Sequence, residues 1–223
     1  WKSALAPFLA GIPVRIGFVG EARFILLNDL RWGERRLERM IDCMGSLALP
    51  KGTPLPTDWP LPEMAVAPDE VAAWLTRRGL AAEPHPVVAL APGAVGPGKR
   101  WSTPNYAALA RQLAEAGISV WVLGGPNEVP LAREIAAAGG PRVRDLTGAD
   151  LRDAIVALAA ADAAVTNDSG LMHVAAALGT ATVALFGPTD PQLWAPLNPL
   201  AAAIEPPGDR SCRHCGRSPC DNI

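Results

Sequence analysis

No surplus of positive charge marks this 223-residue chain: 20 Lys and Arg stand against 22 Asp and Glu, a formal net charge of −2. A protein that grips nucleic acid through its phosphates carries a basic surplus, so this balance argues against a general nucleic-acid partner. Missing too is any run of about 18 uncharged apolar residues, the least a membrane-crossing helix needs. The opening stretch, residues 1–11, lacks the basic segment and long apolar core of a secretory leader. It also lacks an initiator Met, and we read it as an internal cut in a longer protein. Of the four cysteines, Cys212, Cys215 and Cys220 crowd the end while Cys43 stands alone. No disulfide framework is spread through the chain, and a reducing cytoplasm is the expected compartment. Neither a G-x-G-x-x-G fingerprint nor a repeat period occurs, so a dinucleotide enzyme and a solenoid both lack support.

What is present is apolar material, 49% of residues, enough for a real core. Residues 14–19 predict one strand and residues 35–47 a helix, with Leu37, Met40, Ile41 and Met44 at helical spacing. Pro54, Pro56, Pro60 and Pro62 then predict an extended linker, followed by a short helix over 69–78. From residue 87 the pattern becomes regular. Strands are expected at 87–91, 118–123, 143–146, 163–166 and 182–186, and helices at 104–116, 128–138, 151–160 and 169–178. This alternation is that of a doubly wound α/β domain with a parallel sheet.

In such a sheet ligands bind outside the carboxyl ends of the strands. At one such end lies Asn167-Asp168-Ser169-Gly170-Leu171-Met172-His173. The exposed amides of a helix start attract anions, and Gly170 lets a pyrophosphate come close to the backbone. Ser169 and His173, four residues apart, share a helix face. Asp168 repels phosphate, so it suits N–H groups or sugar hydroxyls better. An ordinary capped helix would use the same residue types.

A second strand end carries Gly93-Ala94-Val95-Gly96-Pro97-Gly98-Lys99-Arg100, one residue short of the P-loop pattern. Arg100 stands where a P-loop needs a hydroxyl for magnesium, the next helix starts several residues later, and Pro97 removes an amide. The loop instead reads as one that offers Lys99 and Arg100 to a diphosphate, against the plainer reading of a solvated basic loop. Glu128, after Gly124-Gly125, can bond a ribose or simply favour a helix start. Cys212-Arg213-His214-Cys215 with Cys220 has metal-like spacing without a clear second ligand pair, and no metal site is assigned. Trp101 is expected in core packing rather than as a pocket wall.

The combination of Pro92-Gly93-Ala94 through Lys99-Arg100-Trp101, Asn167 through Ala177, and Phe186-Gly187-Pro188-Thr189-Asp190-Pro191 resembles the ADP-heptose:lipopolysaccharide heptosyltransferase family, glycosyltransferase family 9, closest to its heptosyltransferase II branch. The opening also fits, in Lys2-Ser3-Ala4-Leu5, Gly11-Ile12-Pro13, Gly20-Glu21-Ala22-Arg23 and Leu27-Asn28-Asp29. The resemblance covers nearly the whole chain. It implies a GT-B-type glycosyltransferase with two Rossmann-like domains. Residues 1–65 would be a remnant of the N-terminal acceptor domain plus linker, and 66–223 a near-complete C-terminal domain that binds the nucleotide sugar.

The implied reaction moves L-glycero-D-manno-heptose from ADP-heptose to the lipopolysaccharide inner core with inversion. No metal or other cofactor takes part. The implied place is the cytoplasmic face of the inner membrane, with peripheral association of the whole enzyme. By position, Lys99 matches a lysine on the diphosphate and sugar. Asp168, Ser169 and Gly170 match the turn holding phosphate and heptose, His173 closes that motif, and Glu128 falls near a ribose-binding acid. Asn167 and Arg100 complete the expected binding set. The family's catalytic aspartate has no counterpart here, so the general base is expected to be absent and the fragment to bind donor without turnover. A non-catalytic nucleotide-binding module and a P-loop-like ATPase are the alternatives.

Overall fold

The computed structural model of the chain describes residues 2–206, apart from Glu21 and Ala149. The cysteine cluster at Cys212, Cys215 and Cys220 lies outside the described residues. The chain forms two compact units, Trp1–Pro60 and Leu61–Ile223.

The first unit holds helix α1 (Lys2–Leu9), strands β1 (Ile16–Phe18) and β2 (Asp29–Arg31), and helix α2 (Met40–Ala48). β1 and β2 pair in parallel, with Gly17 opposite Leu30. The buried Arg31 makes two bonds to Asp29, at 3.0 and 2.9 Å, and a third to the Leu49 carbonyl at 3.1 Å, so its charge is paired. Three expectations change here. The helix expected over 35–47 is split into a 3₁₀ turn at Glu34–Arg36 and the later α2. β2 was not expected, because a three-residue strand with charged ends has no apolar run. α1 was not expected either, since Pro7 sits inside it.

The second unit begins with α3 (Pro68–Arg78) and then alternates β3 (Val87–Ala91), α4 (Thr103–Glu115), β4 (Ser119–Val122), α5 (Val129–Gly139), β5 (Val143–Asp145), α6 (Leu151–Ala160), β6 (Ala163–Asn167), α7 (Gly170–Ala177), β7 (Ala181–Leu185), α8 (Pro191–Trp194) and β8 (Ala201–Ile204). The six strands form one parallel sheet in the order β5-β4-β3-β6-β7-β8. That is the doubly wound arrangement, whose chain order reverses between β3 and β6. β8 extends the sheet past the strand expected to be last.

Alternation along the strands builds the core on both faces. Val87, Ala89, Trp121 and Leu123 meet Trp74 of α3, Val156 and Leu158 of α6 and Ala175 of α7. Leu90, Val120 and Val122 meet Tyr106 and Ala110 of α4 and Ile135 of α5. Trp74 and Trp121 pack edge to face with centroids 5.8 Å apart. Aromatic side chains of this size bury roughly 150–250 Å² each, so this pair dominates its face of the core. Among the described residues no helix is long and apolar enough to cross a membrane.

Candidate functional site

The two loops flanking the reversal point, after β3 and after β6, wall one side of a cleft of about 950 Å³ at the carboxyl ends of the strands. A cleft of this volume lies within the range of small-molecule sites, roughly 300–1,000 Å³. Its other walls come from the Gly124–Glu128 turn, the start of α6 at Asp150 and Leu151, and Trp194.

Lys99 and Asp168 meet in this cleft. Lys99 Nζ donates to Asp168 Oδ2 at 2.6 Å, and the Thr189 hydroxyl donates to the same oxygen at 2.7 Å. Asp168 is nearly fully buried while Lys99 stays about one-third exposed. Asp168 Oδ2 is therefore taken by these two donors, and both Asp168 and Lys99 line the cleft, with the ammonium within reach of it. The backbone of Asp168 is fixed in turn by its amide, which donates to the Leu185 carbonyl at 3.1 Å.

Ser169 takes the N-cap position of α7, yet its side chain makes no capping bond. The Met172 amide donates to Ser169 O at 3.2 Å, while the amides of Gly170 and Leu171 precede any i−4 acceptor within the helix, and the helix dipole points its positive end the same way. Gly170 is exposed, and a methyl group built there would meet nothing within 4 Å. His173, one turn on, also lines the cleft. The ring is open to the cleft, but enough protein surrounds it that desolvation pushes its pKa below the usual imidazole value. Nearby Asp168 opposes that shift and nearby Lys99 adds to it. At neutral pH it presents a neutral imidazole, able to hydrogen-bond but adding no charge.

Glu128 lines the cleft and also closes its own turn. Its Oε2 accepts from the Gly125 amide at 2.9 Å. Gly93 and Gly124 leave the room it needs. A Cβ at either would stand 2.9 Å from Glu128 Cδ or 2.6 Å from Glu128 Cβ. Arg100 lines the cleft too, but its Nε donates back to Ala94 O at 2.9 Å.

Asn167 differs from the expectation. It was expected to touch ligand as the first residue of a loop, but β6 continues through it, pairing Asn167 with Leu185. The side chain is fully buried, does not line the cleft, and spends its polar atoms on Pro92, Trp101 and Tyr106. Trp101 packs edge to face on Tyr106 at 5.1 Å, within the core.

Sequence reasoning missed Thr189 and Trp194. Thr189 lay inside a motif already singled out, and only the fold shows that the β7–α8 connection returns it to Asp168. Trp194 belongs to a four-residue helix too short for any periodic signal. Lys99 sits on a 3₁₀ turn, Pro97–Lys99, and α4 starts only at Thr103. A P-loop starts its helix at the lysine, so the loop is of another kind. Among the described residues no three His, Cys, Asp or Glu side chains gather as metal ligands.

The profile described as glycosyltransferase family 9 (heptosyltransferase) matches residues 1–222. Lipopolysaccharide heptosyltransferase 2 of Escherichia coli K12 is 40% identical over 218 residues, covering 92% of this chain and 62% of that protein. The structure of E. coli ADP-heptose lipopolysaccharide heptosyltransferase II superposes with a TM-score of 0.81 at 40% identity, covering 91% of this chain and 65% of that one. E. coli heptosyltransferase WaaC with ADP superposes at 0.54 with 27% identity, covering 62% of this chain and 43% of that one. The chain thus spans less than two thirds of the length of its curated relatives.

Proposed function

The chain belongs to glycosyltransferase family 9, the heptosyltransferases, and from that premise we propose that the cleft is the ADP-heptose donor site of a lipopolysaccharide heptosyltransferase. The observation that carries this reading is the Lys99–Asp168 pair beside the open start of α7, at the reversal point of a parallel sheet. ADP lies with its diphosphate toward Lys99 and the first amides of α7. As the glycosidic bond breaks, negative charge grows on the departing ADP, and these groups are already oriented toward it. Asp168, Ser169 and His173 face the sugar, and Glu128 the ribose. The acceptor is the lipopolysaccharide inner core, attack is in line with inversion, and no metal takes part. The setting is the cytoplasmic face of the inner membrane, with the whole enzyme associated peripherally.

The general base is proposed to come from outside this chain. The carboxylates in the cleft wall have other duties: Asp168 holds Lys99 and Thr189, and Glu128 and Asp150 accept from backbone amides of their own turns. This chain alone then binds donor without transferring the sugar.

Isothermal titration of ADP-heptose, ADP and ATP, with and without magnesium and with chelator, tests the reading. ADP-heptose should bind more tightly than ADP, and chelation should leave binding intact. Lys99→Ala should weaken it by about tenfold or more, the worth of one charge-assisted contact, and Asp168→Ala should do likewise. Equal binding of plain nucleotides would leave only a nucleotide-binding module, and magnesium-dependent ATP hydrolysis would overturn the transferase reading.

A further inference from the structure

Asn167 bonds to both ends of the loop that carries Lys99. Its Nδ2 donates to the Pro92 carbonyl at 2.7 Å, where the chain leaves β3. Its Oδ1 accepts from the Trp101 amide at 3.1 Å, where the chain turns toward α4, and from the Tyr106 hydroxyl at 3.2 Å. Asn167 and Tyr106 are both fully buried. Burial pushes the Tyr106 phenol well above its ordinary pKa, so it stays a donor. A buried amide is costly unless satisfied, and here the satisfying groups belong to the loop ends and to the helix that follows.

Between those ends the loop turns through Gly96, whose φ of +97° favours glycine, and Lys99 N–H donates to Gly96 O at 3.2 Å. The residue after Asn167 is Asp168, which holds Lys99 Nζ from the other side. Two adjacent residues at the end of β6 therefore grip one loop, Asn167 at its two ends and Asp168 through Lys99.

We infer that Asn167 is a positioning residue: it clamps the 92–101 loop onto β6 so that Lys99 is held at the cleft before ligand arrives. Its consequence for binding rests on the donor-site reading, whereas the clamp itself does not. Asn167→Leu keeps the branching and the side-chain heavy-atom count and removes all three bonds. Tyr106→Phe removes a single hydroxyl, keeps the ring packing, and serves where the first variant fails to fold.

Hydrogen exchange on the ligand-free 223-residue chain should show the amides of 93–101 exchanging faster in both variants, more so in Asn167→Leu, while β6 stays protected. ADP-heptose should bind about tenfold more weakly to Asn167→Leu, equivalent to about 1.4 kcal/mol. In a Lys99→Ala background the same substitution should weaken binding no further, because the clamp acts through Lys99. Unchanged loop exchange, or losses that simply add to that of Lys99→Ala, would overturn the inference. If the unaltered chain fails to bind ADP-heptose, the donor-site reading falls while loop exchange still decides the clamp.

Discussion

At the first position of α7, Gly170 has no positive φ, and a methyl group there would meet open space. Backbone conformation and packing therefore leave this position free to carry a side chain. Alanine is the better helix former, and a Gly→Ala change at a compatible site stabilises by roughly 0.4–1 kcal/mol, largely through the unfolded chain. On the donor-site reading proposed above, a ligand that approaches the backbone accounts for the glycine. Gly170→Ala should thus raise or preserve the melting temperature in thermal denaturation while weakening ADP-heptose binding in titration. Unchanged affinity would mean that the diphosphate keeps away from the start of α7. The contrast with Asn167 is instructive, because the two residues are three apart and equally suggestive by type. The direction in which Asn167 points depends on whether β6 ends at Thr166 or one residue later. Adjacent strand residues face opposite ways, so that single-residue difference turns a ligand contact into an internal clamp.

At the scale of elements, α5 shows how tightly this α/β unit is wound. Gly139 ends α5, and a Cβ there would come within 2.2 Å of Val143 Cγ2 and 3.4 Å of the Ala110 backbone in α4. Val143 is buried at the start of β5, away from the carboxyl ends of the strands. Gly139→Ala should destabilise by about 1–3 kcal/mol, the usual range for overpacking. Val143→Ala in the same chain should recover part of that loss, so that the two changes are non-additive in urea denaturation. Full additivity would show that the helix end relaxes instead. Elements such as α5, with long apolar spacing, were legible within a residue or two, and α6 over residues 151–160 was legible at both ends. β8 was not. Its Ala-Ala-Ala-Ile sequence has weak strand preference, it is largely exposed, and pairing to Thr182–Leu185 holds it in place. Local sequence shows propensity and periodicity, while an edge strand of this kind exists through its neighbour.

For the whole molecule, the cleft residues run from Gly93 to Trp194 and thus all belong to the unit Leu61–Ile223. That unit contains the complete six-stranded sheet and the two core clusters that cover its faces. A domain of about 150 residues buries close to 70% of the surface its unfolded chain exposes, enough to fold without help. The proline-punctuated stretch before it has few groups able to support regular structure. Its last residues nevertheless travel with the sheet, since the Met64 amide donates to Ala177 O at 2.8 Å and Val66 packs on the core. A polypeptide of residues 61–223 should therefore fold cooperatively and bind ADP-heptose within about twofold of the full chain's affinity, because affinity follows the contacts retained. Titration of the two side by side checks this. A loss of tenfold or more would mean that residues 1–60 contribute directly to the donor site, and that the cleft built from Lys99, Asp168 and α7 is only part of it.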